Sequence, residues 1–314
     1  MKKIKLAVFD MEGTLFKRSY CFDFIQKDFP EYWHKLCICA AEEALRKAPF
    51  SYSGKMLSDL WGEETGKENE ATWHAWRNGT YPDFDSIKKD FPQHWDDLCF
   101  SIGEEALKSK QFTSAWTLLC DLLGPVASKK NKDNWDRWSD RGYPGYSEWV
   151  IDTIKIHKEH GLKKALFDAV VDKSATYFDG VPETFQALQS RGITIALVSG
   201  GLKAMADRVA LEYKLEHCFT SAEYFWNSDE TISHWNCHPS DFSHKKRLVK
   251  LLLHDLGFSK EEAVFIGDGG NDREVAQYVG YSIGFNPKQY HEFFWDAVVR
   301  ENNLSAVLRH LPAV

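Results

Sequence analysis

The segment KLAVFDMEGTLF, residues 5–16, decides the fold. Four apolar residues in succession run directly into Asp10, and a Gly-Thr turn follows at residues 13 and 14. A short apolar run bounded by a turn is typical of a buried strand in a parallel sheet, where ligands bind beyond the carboxyl ends of the strands. The sequence therefore predicts Asp10 and Glu12 at the mouth of a cleft. When Asp10 is considered alone, the alternative interpretation is that it is a solvated residue of a turn.

The composition is that of a globular protein with one large domain or two ordinary ones. The chain has 314 residues, of which 43% are hydrophobic and 27% charged, and its formal net charge is −7. Nucleic acids and anionic membranes favour a basic protein surface. We therefore expect neither as a partner, and the sequence does not indicate the oligomeric state.

The sequence carries no recognisable export or membrane signal. The apolar stretch that precedes Asp10 is too short for a signal peptide, and no apolar run is long enough to span a bilayer. The seven cysteines are an odd number without CxxC spacing. This pattern favours reduced thiols and argues against a cysteine metal site, so we expect a cytoplasmic protein.

A tandem repeat follows the first predicted strand. Residues 22–45 and 84–107, which are offset by 62 positions, agree at 14 of 24 aligned positions. The same offset relates further positions, among them Trp73 to Trp135 and Trp76 to Trp138. Self-similarity at a fixed spacing indicates a duplicated structural unit, with copies at about residues 22–82 and 84–144.

Each copy has a helical pattern. Apolar residues recur three or four positions apart from Trp33 to Ala44, with Glu and Lys on the other face. We expect Gly62 and Gly124 each to end a helix. Because repeats this short bury little core by themselves, residues 18–178 are predicted to form an all-helical cap on a larger domain.

An alternation of strands and helices resumes at Asp179. The sequence predicts strands at 193–198, 263–266 and 281–285, helices at about 182–191 and 244–256, and a β-hairpin over 223–232. Strands that alternate with helices favour a doubly wound parallel sheet. We therefore predict an α/β core from residues 1–17 and 179–314, with the repeat inserted after its first strand.

Polar, glycine-rich segments follow three of the predicted strands. They are Asp10-x-Glu12, the sequence SGG at 199–201 and the sequence GDGGND at 267–272, and the pair Lys245-Lys246 precedes the last. In this order and spacing, the segments resemble the motifs of haloacid dehalogenase-like (HAD-like) hydrolases. The resemblance is to the phosphoserine-phosphatase-like branch, which has a helical cap after the first motif. It covers about residues 4–16 and 179–285, and it implies a Rossmann-like core.

The resemblance implies catalytic and metal-binding roles for four acidic residues. Asp10 would be the nucleophile that forms an aspartyl-phosphate, and Glu12 the acid/base group, where the family usually has Asp. Mg²⁺ would be held by Asp10, the backbone carbonyl of Glu12 and Asp268, with Asp272 beside them. The alternative for Asp268 and Asp272 is that they are loop acids of a turn.

The resemblance also implies a phosphate-binding set. The Ser199 side chain and the Gly200 amide, at the start of a helix, would hydrogen-bond the phosphate. Lys245 would balance the charge of Asp10 and the phosphate. Lys246 is the rival for this role, and Lys245 is preferred because its spacing from the apolar residues of the same helix matches the family's motif. When Ser199 is considered alone, the alternative to phosphate binding is that it caps the N-terminus of a helix.

The resemblance implies that the cap selects the substrate, as it does in this family. Phosphoserine phosphatases carry a glutamate after the first motif that binds the substrate ammonium. The corresponding residue here is Ser19, which argues against phosphoserine, although Asp23 lies nearby. Tryptophans such as Trp135 and Trp138 could stack on a sugar or a nucleobase, but helix-spaced aromatics are more often core residues, here between the two copies.

Together these features predict a Mg²⁺-dependent phosphomonoesterase that hydrolyses a small phosphate ester through an aspartyl-phosphate at Asp10. One alternative is a phosphotransferase or mutase on the same core, which passes the phosphoryl group to an acceptor other than water. The other is a binding protein that uses the duplicated cap. The binding-protein alternative is disfavoured because every catalytic position holds a residue that can perform its role.

Overall fold

The computed structural model describes residues 3–47, 92–140 and 142–311. Most of the first repeat copy, with Gly62, Trp73 and Trp76, lies outside the described residues, as does the start of the second. Within the described ranges, no helix is both long and apolar enough to cross a membrane.

The secondary structure of the described residues alternates between short strands and helices. The strands are β1 (Leu6–Phe9), β2 (Phe16–Tyr20), β3 (Ala175–Tyr177), β4 (Thr194–Val198), β5 (His217–Phe219), β6 (Ala222–Trp226), β7 (Ile232–Cys237), β8 (Ala263–Gly267), β9 (Tyr281–Phe285) and β10 (Ala297–Val299). The helices are α1 (Asp23–Asp28), α2 (Pro30–Lys47), α3 (Pro92–Leu107), α4 (Ala115–Leu123), α5 (Pro125–Ser139), α6 (Tyr146–Glu159), α7 (Lys164–Asp168), α8 (Val181–Ser190), α9 (Lys203–Tyr213), α10 (Ser243–Asp255) and α11 (Arg273–Ala276).

Six strands form one parallel sheet in the order β10-β9-β8-β1-β4-β5. The prediction of a doubly wound α/β fold is thus confirmed. β1 lies between β4 and β8, and its last residue, Phe9, is paired with Leu197 on one side and Ile266 on the other. This register brings the residues that follow all three strands to one edge of the sheet.

Alternate residues of β1 pack on opposite faces of the sheet. Ala7 and Phe9 belong to a buried cluster that continues into the cap helices. Leu6 and Val8 belong to a second cluster, formed with buried side chains of α10 and α11. Because both faces are covered, the strand has a continuous apolar sequence rather than an alternating one.

The inserted segment contains helices in its described middle part, residues 23–47 and 92–174. Its two ends pair as the antiparallel strands β2 and β3, which the prediction of an all-helical cap did not include. Aromatic residues hold this ribbon together, since the Phe16 and Tyr177 rings stack with centroids 4.7 Å apart. The division of the chain into core and cap at residues 18 and 178 stays a prediction.

The two helices that carry the best-matching stretches of the predicted repeat, α2 and α3, pack against each other. They approach so closely that a Cβ atom at Gly103 would lie 2.1 Å from the carbonyl oxygen of Cys37. The His34 and Phe100 rings stack across the same contact, with centroids 5.8 Å apart. Equivalent helices of the two copies therefore meet, while the duplication itself stays a prediction.

The β-hairpin predicted over 223–232 is confirmed as β6 and β7, although its second strand extends to Cys237. The hairpin packs against the cap. The Tyr224 hydroxyl lies 2.8 Å from Nδ1 of the buried His157 in α6, and its ring lies 5.2 Å from that of Phe167. The cap therefore rests partly on a hairpin that the sequence places in the core.

Candidate active site

Asp10 is the first residue beyond β1 and lies at the carboxyl edge of the sheet. Its backbone amide donates to the carbonyl of Ile266, at 2.9 Å, so the sheet hydrogen bonding continues to this residue. The side chain is buried. Its position follows from the register of β1. Ser199 and Asp268 are the first residues beyond the neighbouring strands and lie two positions beyond the partners of Phe9.

Three carboxylates converge at this edge. Asp10, Asp268 and Asp272 each place an oxygen within 4.8 Å of the other two. Oδ2 of Asp272 accepts hydrogen bonds from the amides of Asp268 (3.2 Å) and Gly269 (3.0 Å), which fixes the loop after β8. Oδ1 of Asp268 is buried and has no hydrogen-bond partner among the described residues.

Gly13 allows the chain to turn beside these carboxylates. Its φ angle is +86°, a left-handed conformation that favours glycine, and a Cβ atom there would lie 2.3 Å from Oδ2 of Asp268. Both the backbone angle and the close approach therefore require glycine at this position.

Lys245 is a fully buried cation among the carboxylates. Its Nζ atom lies 2.6 Å from Oδ1 of Asp272, 3.0 Å from Oδ1 of Asp10 and 3.4 Å from Oδ1 of Asp241. Burial disfavours the charged amine, but the three carboxylates outweigh it and hold the pKa of Lys245 well above its usual value. Lys246 instead pairs with Glu274, 3.0 Å away, where both side chains are partly exposed.

Burial raises the pKa values of two carboxyls of the cluster, those of Asp268 and Asp272. Desolvation raises the pKa of Asp268 to about 6, with Asp10 adding to the rise and Arg18 opposing it. The pKa of Asp272 is also raised, chiefly by burial and against the attraction of Lys245. Burial thus disfavours the ionised form of both carboxyls more than the neighbouring cations favour it.

Glu12 lies beside this cluster and is held by both the ribbon and the cap. Its Oε1 atom accepts hydrogen bonds from the backbone amide of Ala115, at 2.5 Å, and from the Tyr20 hydroxyl, at 3.2 Å. Desolvation by burial raises its pKa to about 7 in spite of the amide hydrogen bond, although the residue retains some exposed surface. A carboxyl with this pKa can give up and take back a proton near neutral pH.

The Ser199 loop is fixed from several sides. The buried Ser199 accepts a hydrogen bond from the Gly201 amide, at 3.3 Å, through Oγ and another from the Ser240 hydroxyl, at 2.7 Å, through its carbonyl. The Tyr146 hydroxyl of the cap donates to the Gly200 carbonyl, at 2.9 Å. α9 begins at Lys203, so the Gly200 amide belongs to a loop and not, as predicted, to a helix start.

Arg18 and Tyr20 are site residues that the sequence analysis missed. Arg18 donates through one guanidinium nitrogen to Oδ2 of Asp268, at 2.9 Å, and through another to the carbonyl of Thr113, at 2.8 Å. The available signal was the alternation of a strand, because Arg18 and Tyr20 are two positions apart on β2. A second missed pair, Asp241 and Asn271, is joined by a 2.8 Å hydrogen bond beside Lys245.

The residues considered for substrate ammonium binding are not in the site. Ser19 lies between Arg18 and Tyr20 on β2 and is exposed. Asp23, at the start of α1, is exposed as well. The side of β2 that faces the candidate site instead presents the guanidinium group of Arg18 and the hydroxyl of Tyr20.

The tryptophans of the second repeat copy pack on residues outside the repeat. The Trp138 ring lies 5.9 Å from that of Tyr146 and 5.4 Å from that of Phe242. Trp135 lies 5.8 Å from Trp149. Among the described residues, these rings connect α5 with α6 and with the loop before α10. Their contact with the first copy stays a prediction, because Trp73 and Trp76 lie outside the described residues.

The donor set fits a hard divalent cation. The three converging groups are carboxylates, the ligand type that Mg²⁺ prefers. The buried Oδ1 atom of Asp268, without a hydrogen-bond partner among the described residues, is an acceptor that a cation would satisfy. Asp10, Asp268 and Asp272 are thus a candidate metal site.

Comparison with known proteins agrees with this geometry. The sequence matches the family model for haloacid dehalogenase-like hydrolases over residues 4–280. The chain belongs to this family. Within the HAD-like hydrolases, it is similar to the phosphoserine phosphatase of Archaeoglobus fulgidus, with 29% identity over 55% of this chain and 50% of that enzyme. It is also similar to the phosphoserine phosphatase of Haemophilus influenzae, with 27% identity over 46% of this chain and 45% of that enzyme.

The match thus spans about half the length of these two curated relatives. Among solved structures, a probable phosphoserine phosphatase from Vibrio cholerae aligns with a TM-score of 0.55 and 16% identity, over 62% of this chain and 58% of that one. At this identity, the likeness supports the HAD-like fold alone.

Proposed function

We propose that this chain is a Mg²⁺-dependent phosphomonoesterase that hydrolyses a small phosphate ester through an aspartyl-phosphate at Asp10. The observation that carries the proposal is the convergence of Asp10, Asp268 and Asp272 around the buried amine of Lys245, next to a carboxyl with a pKa of about 7. Phosphoryl transfer depends on positioning and on neutralising charge, and this site offers both.

Asp10 and Glu12 divide the chemistry between them. A carboxylate oxygen of Asp10 attacks phosphorus, the bond from phosphorus to the ester oxygen breaks, and Glu12 gives its proton to the departing alcohol. Glu12 then takes a proton from a water molecule, whose oxygen attacks phosphorus and releases Asp10. Inorganic phosphate and the alcohol are the products, and both side chains return to their starting states.

The remaining residues position the phosphoryl group and its charge. Lys245 holds Asp10 and Asp272 in place through its amine. The Ser199 hydroxyl and the Gly200 amide are the proposed donors to phosphate. Mg²⁺, when held by Asp10, Asp268, Asp272 and the Glu12 carbonyl, would neutralise the charge on the phosphoryl oxygens.

We further propose that the site does not require an ammonium group on its substrate. Supporting this, Ser19 and Asp23 are exposed, while Arg18 reaches Asp268 at 2.9 Å in the site. A guanidinium group repels an ammonium group, whereas a glutamate would attract it. Phosphoserine is therefore the most informative substrate to test, because the similar proteins are named phosphoserine phosphatases.

The test is hydrolysis of p-nitrophenyl phosphate with and without Mg²⁺, followed by L-phosphoserine beside its desamino analogue, 3-phosphooxypropanoate. The proposal predicts Mg²⁺-dependent release of phosphate and no preference for L-phosphoserine over the analogue. Transfer to added glycerol in place of water would favour a phosphotransferase. Absence of turnover with all three esters would favour a binding protein.

A further inference from the structure

A cavity of about 540 Å³ opens beside the edge strand β5. This volume is in the range of small-molecule binding sites. The cavity is lined by the first turns of α9, the end of β5 with the loop after it, residues 238–240 and one side of α10. The proposed catalytic and metal-binding residues are not part of its lining.

The cavity has three nitrogen-bearing side chains without a partner among the described residues. Both lining carboxylates, Asp207 and Glu223, are engaged by Lys203, at 2.6 Å and 3.6 Å. The side chains of His238, His244 and Arg247 also line the cavity, and no described residue forms a hydrogen bond or an ion pair with them. The unsatisfied donors therefore suit an anionic group.

The same cavity has an apolar end. One face of α10 lines the cavity, because its lining residues are spaced three or four positions apart: His244, Arg247, Leu248 and Leu251. This face presents two nitrogen-bearing side chains, followed by two leucines. Phe219 of β5 adds an aromatic surface. Leu251 is 55% exposed, which leaves apolar area available to a ligand.

We propose that this cavity binds a small organic anion with an apolar body, and that its occupancy alters turnover. The anionic group contacts Arg247, His244 and His238, and the apolar body contacts Leu248 and Leu251. The connection to the candidate active site is short: Ser240, in the cavity wall, donates to the carbonyl of Ser199 at 2.7 Å.

The segment that follows Ser240 reaches Lys245. Asp241 lies 3.4 Å from the Lys245 amine, and a Cβ atom at Gly200 would lie 2.3 Å from the Asp241 carboxylate. A ligand that shifts residues 238–244 must therefore shift the surroundings of Lys245 and Gly200. A ligand changes turnover to the extent that it binds the two arrangements with different affinity.

The test uses the full chain and 2-naphthoate as the probe, with the uncharged 2-naphthamide as its control, measured by isothermal titration calorimetry. We expect Arg247→Ala to weaken 2-naphthoate binding about tenfold, the usual effect of losing a charge-assisted hydrogen bond. Lys250→Ala, a matched change on the same helix but outside the cavity, is expected to leave binding unchanged, as is Asp10→Asn.

Three results would overturn the binding site: equal affinity for naphthoate and naphthamide, equal affinity in the wild type and Arg247→Ala, or loss of binding in Asp10→Asn. The last would place the anion in the catalytic site. Turnover of p-nitrophenyl phosphate should change about twofold or more with naphthoate in the wild type and not in Arg247→Ala; no change in the wild type would refute the coupling. The calorimetric arm does not depend on the proposed phosphatase activity.

Discussion

The carboxylate of Glu12 accepts a 2.5 Å hydrogen bond from the backbone amide of Ala115, the first residue of α4. A residue two positions from the proposed nucleophile is thus bonded to a cap helix 103 positions away in the chain. The amide stabilises the carboxylate and burial destabilises it, and together they leave the pKa of Glu12 at about 7. The protonation of Glu12 therefore depends on where the cap sits.

Glu12→Gln should remove the proton donor and acceptor while keeping the shape of the side chain. We expect turnover of an alkyl phosphate to fall about 100-fold, the usual contribution of general acid–base catalysis. In the wild type, the rate of alcohol release should decline as the pH rises above about 7, because Glu12 then loses the proton that it must donate. A pH–rate profile that is the same in the wild type and the variant would contradict this role.

Lys245→Met should destabilise the protein strongly, and Lys246→Ala should not. The first change keeps the volume of the side chain but leaves Asp10, Asp241 and Asp272 without their shared cation. Breaking a buried ion pair costs about 3–5 kcal/mol. Lys246 is partly exposed, and surface changes stay within about 0.5 kcal/mol. Urea unfolding of the two variants measures the difference, and equal losses would show that the buried amine is not needed.

Mg²⁺ should stabilise the fold through Asp268. A ligand at about 100 times its Kd adds about 2.7 kcal/mol to the stability of the protein that binds it. Thermal unfolding should therefore shift upward with Mg²⁺ in the wild type and in the exposed control Asp255→Asn, but not in Asp268→Asn. An equal shift in all three would exclude this metal site.

The pH dependence of the metal effect follows from the raised pKa of Asp268. Its value of about 6 in the fold exceeds the ordinary 3.8, so the fold binds this proton more tightly than the unfolded chain does. Without metal, the contribution of Asp268 to stability is present below pH 4 and is lost as the pH rises through 6. The shift caused by Mg²⁺ should grow over the same interval, because the cation competes with the proton. A shift that does not vary with pH would contradict this account.

Arg18→Ala should reduce kcat/KM although the sequence motif does not include the residue. The guanidinium holds Asp268 and the carbonyl of Thr113, two residues before the amide that binds Glu12. Loss of a group that orients a metal ligand typically costs about 10- to 100-fold. Lys17→Ala, the neighbouring change on the other side of β2, is the matched control. Steady-state kinetics should separate the two, and the account fails if both variants behave like the wild type.

The parts of the site that could be predicted are those fixed by local sequence. β1 has an unbroken apolar run because both faces are covered, and the parallel register then places Asp10, Ser199 and Asp268 together. Lys245 could be preferred over Lys246 because its spacing from the apolar residues of α10 resembles the family's lysine motif. Each of these predictions depends on contacts between adjacent strands or within one helix.

The parts that could not be predicted depend on contacts between distant segments. Arg18 reaches Asp268, which is 250 positions away, and nothing in the sequence of β2 indicates that partner. The pairing of β2 with β3 joins the two ends of the insertion, so the sequence of neither strand indicates its partner. The β6–β7 hairpin was predicted, but its packing against His157 of the cap was not.

The central claim is that Asp10 carries the phosphoryl group, and borohydride trapping tests it most directly. The protein is mixed with Mg²⁺ and a phosphate ester, quenched in acid and treated with borohydride, which reduces an aspartyl-phosphate to homoserine. Peptide mass spectrometry then locates the reduced residue. We predict homoserine at position 10 in the wild type, and in Asp10→Asn no trapped residue and no turnover, with an unchanged circular dichroism spectrum. Continued turnover in a folded Asp10→Asn protein, or trapping at another carboxylate, would contradict the account.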